Sequence, residues 1–346
     1  MRVVITVDPY IPVPPVFEGG IERIVDILVR GLAERGHQLT LVAHPDSRSP
    51  GELVPYGAPP HRSDRARLAE LVQVGRALWR RRDDVDVIHS FGRLAAMVPV
   101  LPLRQLPKIQ SYQRAVPWNG VRRAVRLAGQ SIHFTAASAS MYHNAPPDRT
   151  GTGRWHTIFN SVELAKFSFA PRVDPEAPLV FLGRLEPFKG AHHAIAIAAS
   201  SGRRLVIAGN QVPAAADYFA REIAPRVDDR QVQYVGRVDD KQKSELLGGA
   251  AALLMPVTWE EPFGLVMAEA MACGTPVIGF AAGSVPEVVR DGVTGYVCRT
   301  VAEASQAVAR LDRLARAAVR ADCEARFSDA AMVTAYEELY RTVVTR

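Results

Sequence analysis

Two glutamates, Glu261 and Glu269, close the two ends of the run EPFGLVMAE, and the residues between them are almost all apolar. The run follows an apolar strand pattern at Ala252–Met255 and predicts a helix beginning near Gly264. The first backbone N–H groups of a helix lack intrahelical partners and carry partial positive charge, so Gly264 and Leu265 would open an anion site. Glu269 falls inside this helix among Leu265, Val266, Met267, Ala270 and Met271. A carboxylate in such company costs on the order of several kcal/mol unless donors meet it. A ribose diol would supply two donors, and an arginine on a neighbouring helix would serve as well. Glu261, just ahead of the helix, can accept hydrogen bonds from sugar hydroxyls near the phosphates or act only as a favourable charge at a helix start.

A second group of charges lies in GRLEPFKG, where Arg184 and Lys189 follow a strand at Leu179–Gly183. A guanidinium fork and an ammonium point charge at one strand end suit the neutralisation of a diphosphate leaving group. Either cation alone reads equally well as surface charge; their joint placement in the half that holds the two glutamates argues for a shared anionic ligand. Near the start of the chain, Gly19 and Gly20 precede a helix beginning near Ile21. Backbone without side chains there can approach a ligand closely or can form a simple tight turn.

These residues need strand ends and helix starts to hold them, and the rest of the chain supplies both. Short Val/Ile/Leu runs alternate with longer helix-period segments, the pattern of parallel sheets covered by helices, so the class is α/β. The first unit reads as strand Val3–Val7, a Pro/Gly loop, a helix with Ile21, Ile24, Val25, Leu28 and Leu32 on one face, a stop at Gly36 and a strand at Leu39–Ala43. Further strands are expected at Val85–Ile88, Lys108–Ser111 and His133–Ala137, and after residue 178 at Leu179–Gly183, Arg204–Ala208, Val232–Val235, Ala252–Met255, Pro276–Gly279 and Gly295–Val297. Periodicity fails over 163–178, which reads as an interdomain linker and hinge. The expected division is a first domain over 1–165, a linker over 166–178, a second domain over 179–327, and a last helix over 328–346 whose stripe of Met332, Val333, Tyr336, Leu339, Tyr340 and Val343 needs a surface to dock on. Open α/β sheets bind ligands at the carboxyl ends of their strands, so a cleft between two such sheets is where the chemistry is expected.

Composition narrows the classes. With 346 residues, 48% hydrophobic and 23% charged, the chain has the proportions of folded domains rather than of disorder. Cys273, Cys298 and Cys323 have neither zinc-site spacing nor disulfide density, which fits a reducing cytoplasm. No secretory signal is read at the N-terminus, and no run reaches the roughly 20 apolar residues of a membrane span. The net charge of +6 comes from arginines, many of them in 62–82 and 121–126. Solvated helix faces are the plain reading; contact of these basic helices with anionic lipid at the inner face of a membrane is the sharper one. No nucleic-acid motif is present, so nucleic acid is not expected as a partner.

The segments EEPFGLVMAEAMACGTPVI, GRLEPFKG, GSVPEVVRDGVTGYV at 283–297 and GGIERIV at 19–25 together resemble retaining glycosyltransferases of family 4, the glycosyl transferases group 1. The resemblance implies two facing Rossmann-like domains with a cleft between them, the GT-B architecture, and transfer of a sugar, of hexosyltransferase type, from a UDP- or GDP-sugar to an acceptor hydroxyl without metal or other cofactor. It implies that Arg184 and Lys189 contact the diphosphate, Glu261 the donor sugar and Glu269 the ribose. Gly20, Gly183, and the backbone of Phe263, Gly264 and Leu265 would complete the donor site, and Gly236–Val238 would lie against the base. On the acceptor side it points to Glu22 and to the loops 9–20, 44–62 and 112–120, whose Tyr10, Phe17, Tyr112 and Trp118 could stack on an acceptor.

One departure stands out: where many members carry Thr-x-His after the fourth strand, this chain has Ser111-Tyr112-Gln113. Glutamine can orient a hydroxyl but cannot carry a proton. His89, after the strand at Val85–Ile88, is the nearest substitute, with a satisfied structural histidine as its other reading. Asp84-Val85-Asp86 matches a metal-holding motif literally but stands at the entry of a strand, so no metal is expected there. Two other readings use the same donor grip: a sugar-nucleotide epimerase, and a donor-binding subunit without turnover.

Overall fold

Among the described residues, thirteen short strands, most of them made of β-branched residues and leucine, pair only in parallel and leave their connections to helices. The structure, a computed structural model, describes residues 1–16, 19–57, 63–143 and 152–345. It divides into two compact units, one of Met1–Phe159 with Asp329–Arg346 and one of Asn160–Ser328.

The first unit holds a seven-stranded sheet in the order β3-β2-β1-β4-β5-β6-β7, with β1 at Arg2–Thr6, β2 at Gln38–Ala43, β3 at Glu52–Pro55, β4 at Val87–Ser90, β5 at Lys108–Tyr112, β6 at Ile132–Ala136 and β7 at Arg154–Thr157. Val3 pairs with Leu39 on one side and with Val87 on the other, so β1 is central. The fourth strand thus begins two residues later than the apolar run suggests: Asp86 is taken by Arg2, whose backbone N–H donates to Oδ2 at 2.7 Å and whose guanidinium donates to Oδ1 at 2.9 Å. Its helices are α1 (Gly20–Glu34), α2 (Asp64–Arg81), α3 (Trp118–Ala128) and the short α4 (Ser140–His143).

The second unit repeats the plan with six strands in the order β10-β9-β8-β11-β12-β13. These are β8 (Leu179–Leu182), β9 (Leu205–Ala208), β10 (Val232–Gly236), β11 (Ala252–Met255), β12 (Val277–Phe280) and β13 (Gly295–Cys298). Between them run α5 (Ala191–Ser201), a single turn α6 (Ala216–Tyr218), α7 (Asp240–Gly248), α8 (Leu265–Ala272), the short α9 (Val285–Val288), α10 (Val301–Val308) and α11 (Arg316–Phe327). In both sheets the order reverses beside the first strand, between β1 and β4 and between β8 and β11. Such switch points open a crevice outside the carboxyl ends of the strands.

The last helix, α12 (Asp329–Val344), returns to the first unit and buries Met332, Val333, Tyr336, Leu339, Tyr340 and Val343 in one core with Ile24, Leu28 and Leu32 of α1. Gly31 permits this approach, since a Cβ there would lie 2.6 Å from a methyl of Val333. The opposite face of the same sheet is covered by α2 and α3. The segment 166–178 is not a free linker: it belongs to the second unit, pinned by a buried Phe167, by Ser168 N–H donating to Ser244 Oγ at 3.0 Å, by Ala170 N–H donating to the Cys273 carbonyl at 3.0 Å and by Arg316 Nε donating to the Ala170 carbonyl at 2.7 Å. The unit boundary falls at Phe159, before it.

Candidate functional site

At the switch point of the second unit, the loops after β8 and β11 are tied by Thr258 N–H donating to the Phe188 carbonyl at 2.9 Å. Gly190, with φ of 82°, makes that closeness possible: a Cβ would stand 2.0 Å from the Pro256 carbonyl oxygen. The ammonium of Lys189 is thereby set on Glu261, donating to Oε2 at 2.5 Å. Trp259 Nε1–H donates to the same oxygen at 2.9 Å, and its ring lies 4.7 Å from the ammonium. Glu261 is buried, and its backbone carbonyl accepts from Ser284 N–H at 2.9 Å, with Gly283 packed against the peptide. A buried carboxylate is tolerable here because two donors, one of them a cation, compensate it.

Three residues on, Gly264 takes a left-handed conformation, φ 70°, and caps α8, so the free N–H groups of the first turn stand directly after the Lys189–Glu261 pair. Glu269 lies farther along α8, mostly buried, and its Oε1 accepts from Lys243 Nζ at 2.7 Å. Its protein partner is therefore a lysine from α7, which answers the desolvation problem without an arginine. Arg184, at the end of β8, remains largely exposed and sits 2.9 Å from Glu186 in a geometry that is an ion pair but not a hydrogen bond. Gly183, Gly209 and Gly236 line the ends of β8, β9 and β10 with bare backbone: Gly209 N–H donates to the Gly236 carbonyl at 2.7 Å, and a Cβ on Gly209 would meet the Gly183 oxygen at 1.8 Å. Val238, half-buried, follows. The Phe263 side chain is buried edge-on to Phe327, so only its backbone can meet a ligand.

The first unit has its own pocket of about 590 Å³ at its switch point, walled by the ends of β1, β4 and β5 and by the start of α1. Arg93 ties its rim together, donating from backbone N–H and Nε to Asp8 Oδ1 at 3.2 and 3.3 Å and from Nη2 to Glu70 Oε2 at 2.7 Å. Tyr10 O–H donates to the same Glu70 oxygen at 3.1 Å. Glu22, buried in the first turn of α1, has its carboxyl pKa raised by desolvation and by Asp8, against the pull of its own backbone N–H and of Arg114. Gln113 and Arg114 stand on the wall, with Gln110 and Tyr112 beneath them. Gln110 Oε1 is buried without a hydrogen-bond partner, and so is the Tyr112 hydroxyl, whose ring stacks on Phe134 and Trp155. Trp118 packs on Trp155, with ring centroids 5.5 Å apart, and is not on this wall. Phe17 and residues 58–62 of the expected acceptor loops lie outside the described residues.

His89 is not an acceptor contact. It is fully buried, with Nδ1 bonded to the Tyr340 hydroxyl at 2.5 Å and Nε2 to Ser111 Oγ at 2.6 Å, and burial pushes its pKa down to about 3. Both nitrogens are used, so it is the satisfied core histidine. Asp8, Glu70, Arg93, Gln110, Trp259 and Lys243 went unread in the sequence. Arg93 and Trp259 could have been found as polar or aromatic residues just past a strand end; Lys243 meets Glu269 across 26 positions with no local signal.

Comparison with known proteins follows this geometry. Residues 18–166 match the family described as glycosyltransferase family 4, and residues 165–331 match glycosyl transferases group 1. A protein of Mycobacterium tuberculosis (strain ATCC 25618 / H37Rv) named glycogen synthase is 30% identical over 348 aligned positions, which cover 85% of this chain and 83% of that protein. Among solved structures, AviGT4, a glycosyltransferase involved in avilamycin A biosynthesis, is 26% identical with a TM-score of 0.67 and covers 99% of this chain and 98% of its own. HepE of Anabaena, solved with UDP and glucose, shares the fold with a TM-score of 0.72 at 18% identity, over 99% of this chain and all of its own.

Proposed function

The chain belongs to glycosyltransferase family 4 and is a glycosyltransferase, and from that premise we propose that it transfers a sugar from a nucleoside diphosphate sugar, UDP- or GDP-linked, to an acceptor hydroxyl with retention at the anomeric carbon. The observation that carries the donor assignment is the Lys189–Glu261 pair set directly before the free N–H groups of α8 at the switch point. A diphosphate there meets Lys189, the exposed fork of Arg184 and the helix start. These supply positive charge to the leaving group without calling on a metal. Glu261 positions the donor sugar, and Glu269, oriented by Lys243, accepts from the ribose hydroxyls. The nucleotide-bound relative of the same fold supports this class of donor.

The pocket of the first unit is the proposed acceptor site, where Gln113 orients a hydroxyl in the position at which many relatives carry histidine. Retention is assigned to a same-face displacement in which the departing phosphate takes the acceptor proton, so the protein contributes orientation and charge. The working compartment is proposed to be the cytoplasm.

Calorimetry and thermal shift with UDP-, GDP- and ADP-sugars test the donor. Glu269→Ala is expected to weaken nucleotide binding, and Arg184→Ala to slow transfer while leaving binding largely intact. Normal binding and turnover in both variants would place the site elsewhere. Sugar-nucleotide consumption without any acceptor dependence would favour an epimerase.

A further inference from the structure

The α2 and α3 side of the first unit carries a surface that neither the donor nor the acceptor site uses. Its inward residues, among them Val74, Leu78, Met97, Val121 and Ala124, form one core against the sheet. Outward, Leu68, Val72 and Trp79 of α2 are 62%, 42% and 43% exposed. At 100° per residue these three positions fall within about 40° of one another, a single apolar stripe facing solvent. On the same side of the sheet, Val98 and the α3 residue Leu127 are 51% and 44% exposed.

Cations flank the stripe on one side of α2. Arg65, Arg76 and Arg80 of α2 and Arg123 and Arg126 of α3 are exposed and make no ion pair among the described residues. The Arg82 guanidinium lies 4.3 Å from the Trp79 ring centroid. Acids on α2 stand at its two ends, Asp64 in the first turn beside Arg67 and Asp83 and Asp84 just after the last, with Asp83 beside Arg82; between them Glu70 is buried in its bonds to Arg93 and Tyr10, and from 87 to 147 the sequence has no aspartate or glutamate. A helix that is only solvated has no use for three exposed apolar residues in line. A polyanion such as RNA would use the arginines but not the aliphatic side chains. An anionic bilayer uses both, because apolar side chains enter the acyl boundary while guanidiniums remain at the phosphates.

We propose that the α2–α3 face of the first unit is a peripheral docking surface for an anionic phospholipid bilayer, with Leu68, Val72 and Trp79 seated at the headgroup boundary and the flanking arginines on lipid phosphates. Because α2 also supplies Arg67 and Glu70 to the wall and rim of the first unit's pocket, docking holds that pocket beside the headgroups.

Co-sedimentation of the full chain with vesicles tests this without reference to transfer activity. Binding is expected to phosphatidylcholine vesicles containing phosphatidylglycerol, not to phosphatidylcholine alone, and is expected to weaken with salt. Tryptophan emission should shift to the blue on binding, a shift lost in Trp79→Phe. Leu68→Ser/Val72→Ser and Arg76→Glu/Arg80→Glu/Arg123→Glu should each lower partitioning by about tenfold or more, since both buried apolar area and charge contribute. Nucleotide binding should stay unchanged in both variants. No binding to anionic vesicles overturns the proposal. So does binding that ignores the Leu68/Val72 change and is matched by heparin or RNA, which would make the face a general polyanion surface.

Discussion

Glu261 and Glu269 stand in one short run yet owe their states to different partners, and each partner can be removed separately. Lys189→Met would leave Glu261 buried with only Trp259 for a donor, and losing one member of a buried pair costs about 3 kcal/mol. Urea unfolding should show that loss, and Glu261→Gln, which strands the Lys189 ammonium instead, should show a loss of the same sign. Lys243→Met should weaken donor binding about tenfold by freeing Glu269 to rotate, with Lys243→Arg restoring most of it, as isothermal titration would show. His89 makes a prediction of opposite character. Its pKa is about 3 in the folded chain against an ordinary 6.5, so the unfolded state takes up a proton that the folded state refuses. Stability is therefore full above about pH 6.5 and falls as pH drops towards 3, and His89→Gln should flatten that slope in pH-dependent thermal unfolding.

The elements differ in how far they announce themselves. Strands β8, β11 and β12 are apolar runs buried on both faces, β1 has the same character over Val3–Ile5, and the stripe on α1 recurs at helical spacing, so all of these are legible in the sequence. Edge strands β3 and β7 are not: ELVP and RWHT carry charge and are only partly buried, and they are strands because a neighbour offers them hydrogen bonds. The start of α8 at Gly264 is legible from glycine before an apolar helix. The lysine that meets Glu269 is not, since α7 and α8 are brought together only by the sheet. Gly190 is the turn on which the donor loop depends. Gly190→Ala sets a Cβ against the Pro256 carbonyl at a positive φ, and is expected to cost about 2 to 4 kcal/mol in urea unfolding and to displace Lys189.

Across the whole molecule, charge handling is divided between two units with the same strand plan. Apart from Gly20 at the start of α1, the proposed donor contacts lie in the second unit, and the proposed acceptor contacts lie in the first. Arg93→Ala, which unties Asp8 and Glu70, should therefore raise the KM for acceptor while the Kd for nucleotide stays unchanged, a split that steady-state kinetics and calorimetry read together. Which hydroxyl compound fills the first pocket was beyond the sequence because its wall is assembled from five separate segments, whereas the donor grip lies largely in two continuous stretches.

The chain leaves the first unit at Phe159 and re-enters it at Asp329. During synthesis, α12 emerges from the ribosome only after all of the second unit. Until then Ile24, Leu28 and Leu32 lack their cover and His89 lacks Tyr340. The first unit therefore cannot close its core until the whole of the second has been made, and the apolar face of α1 is the surface that stays open longest.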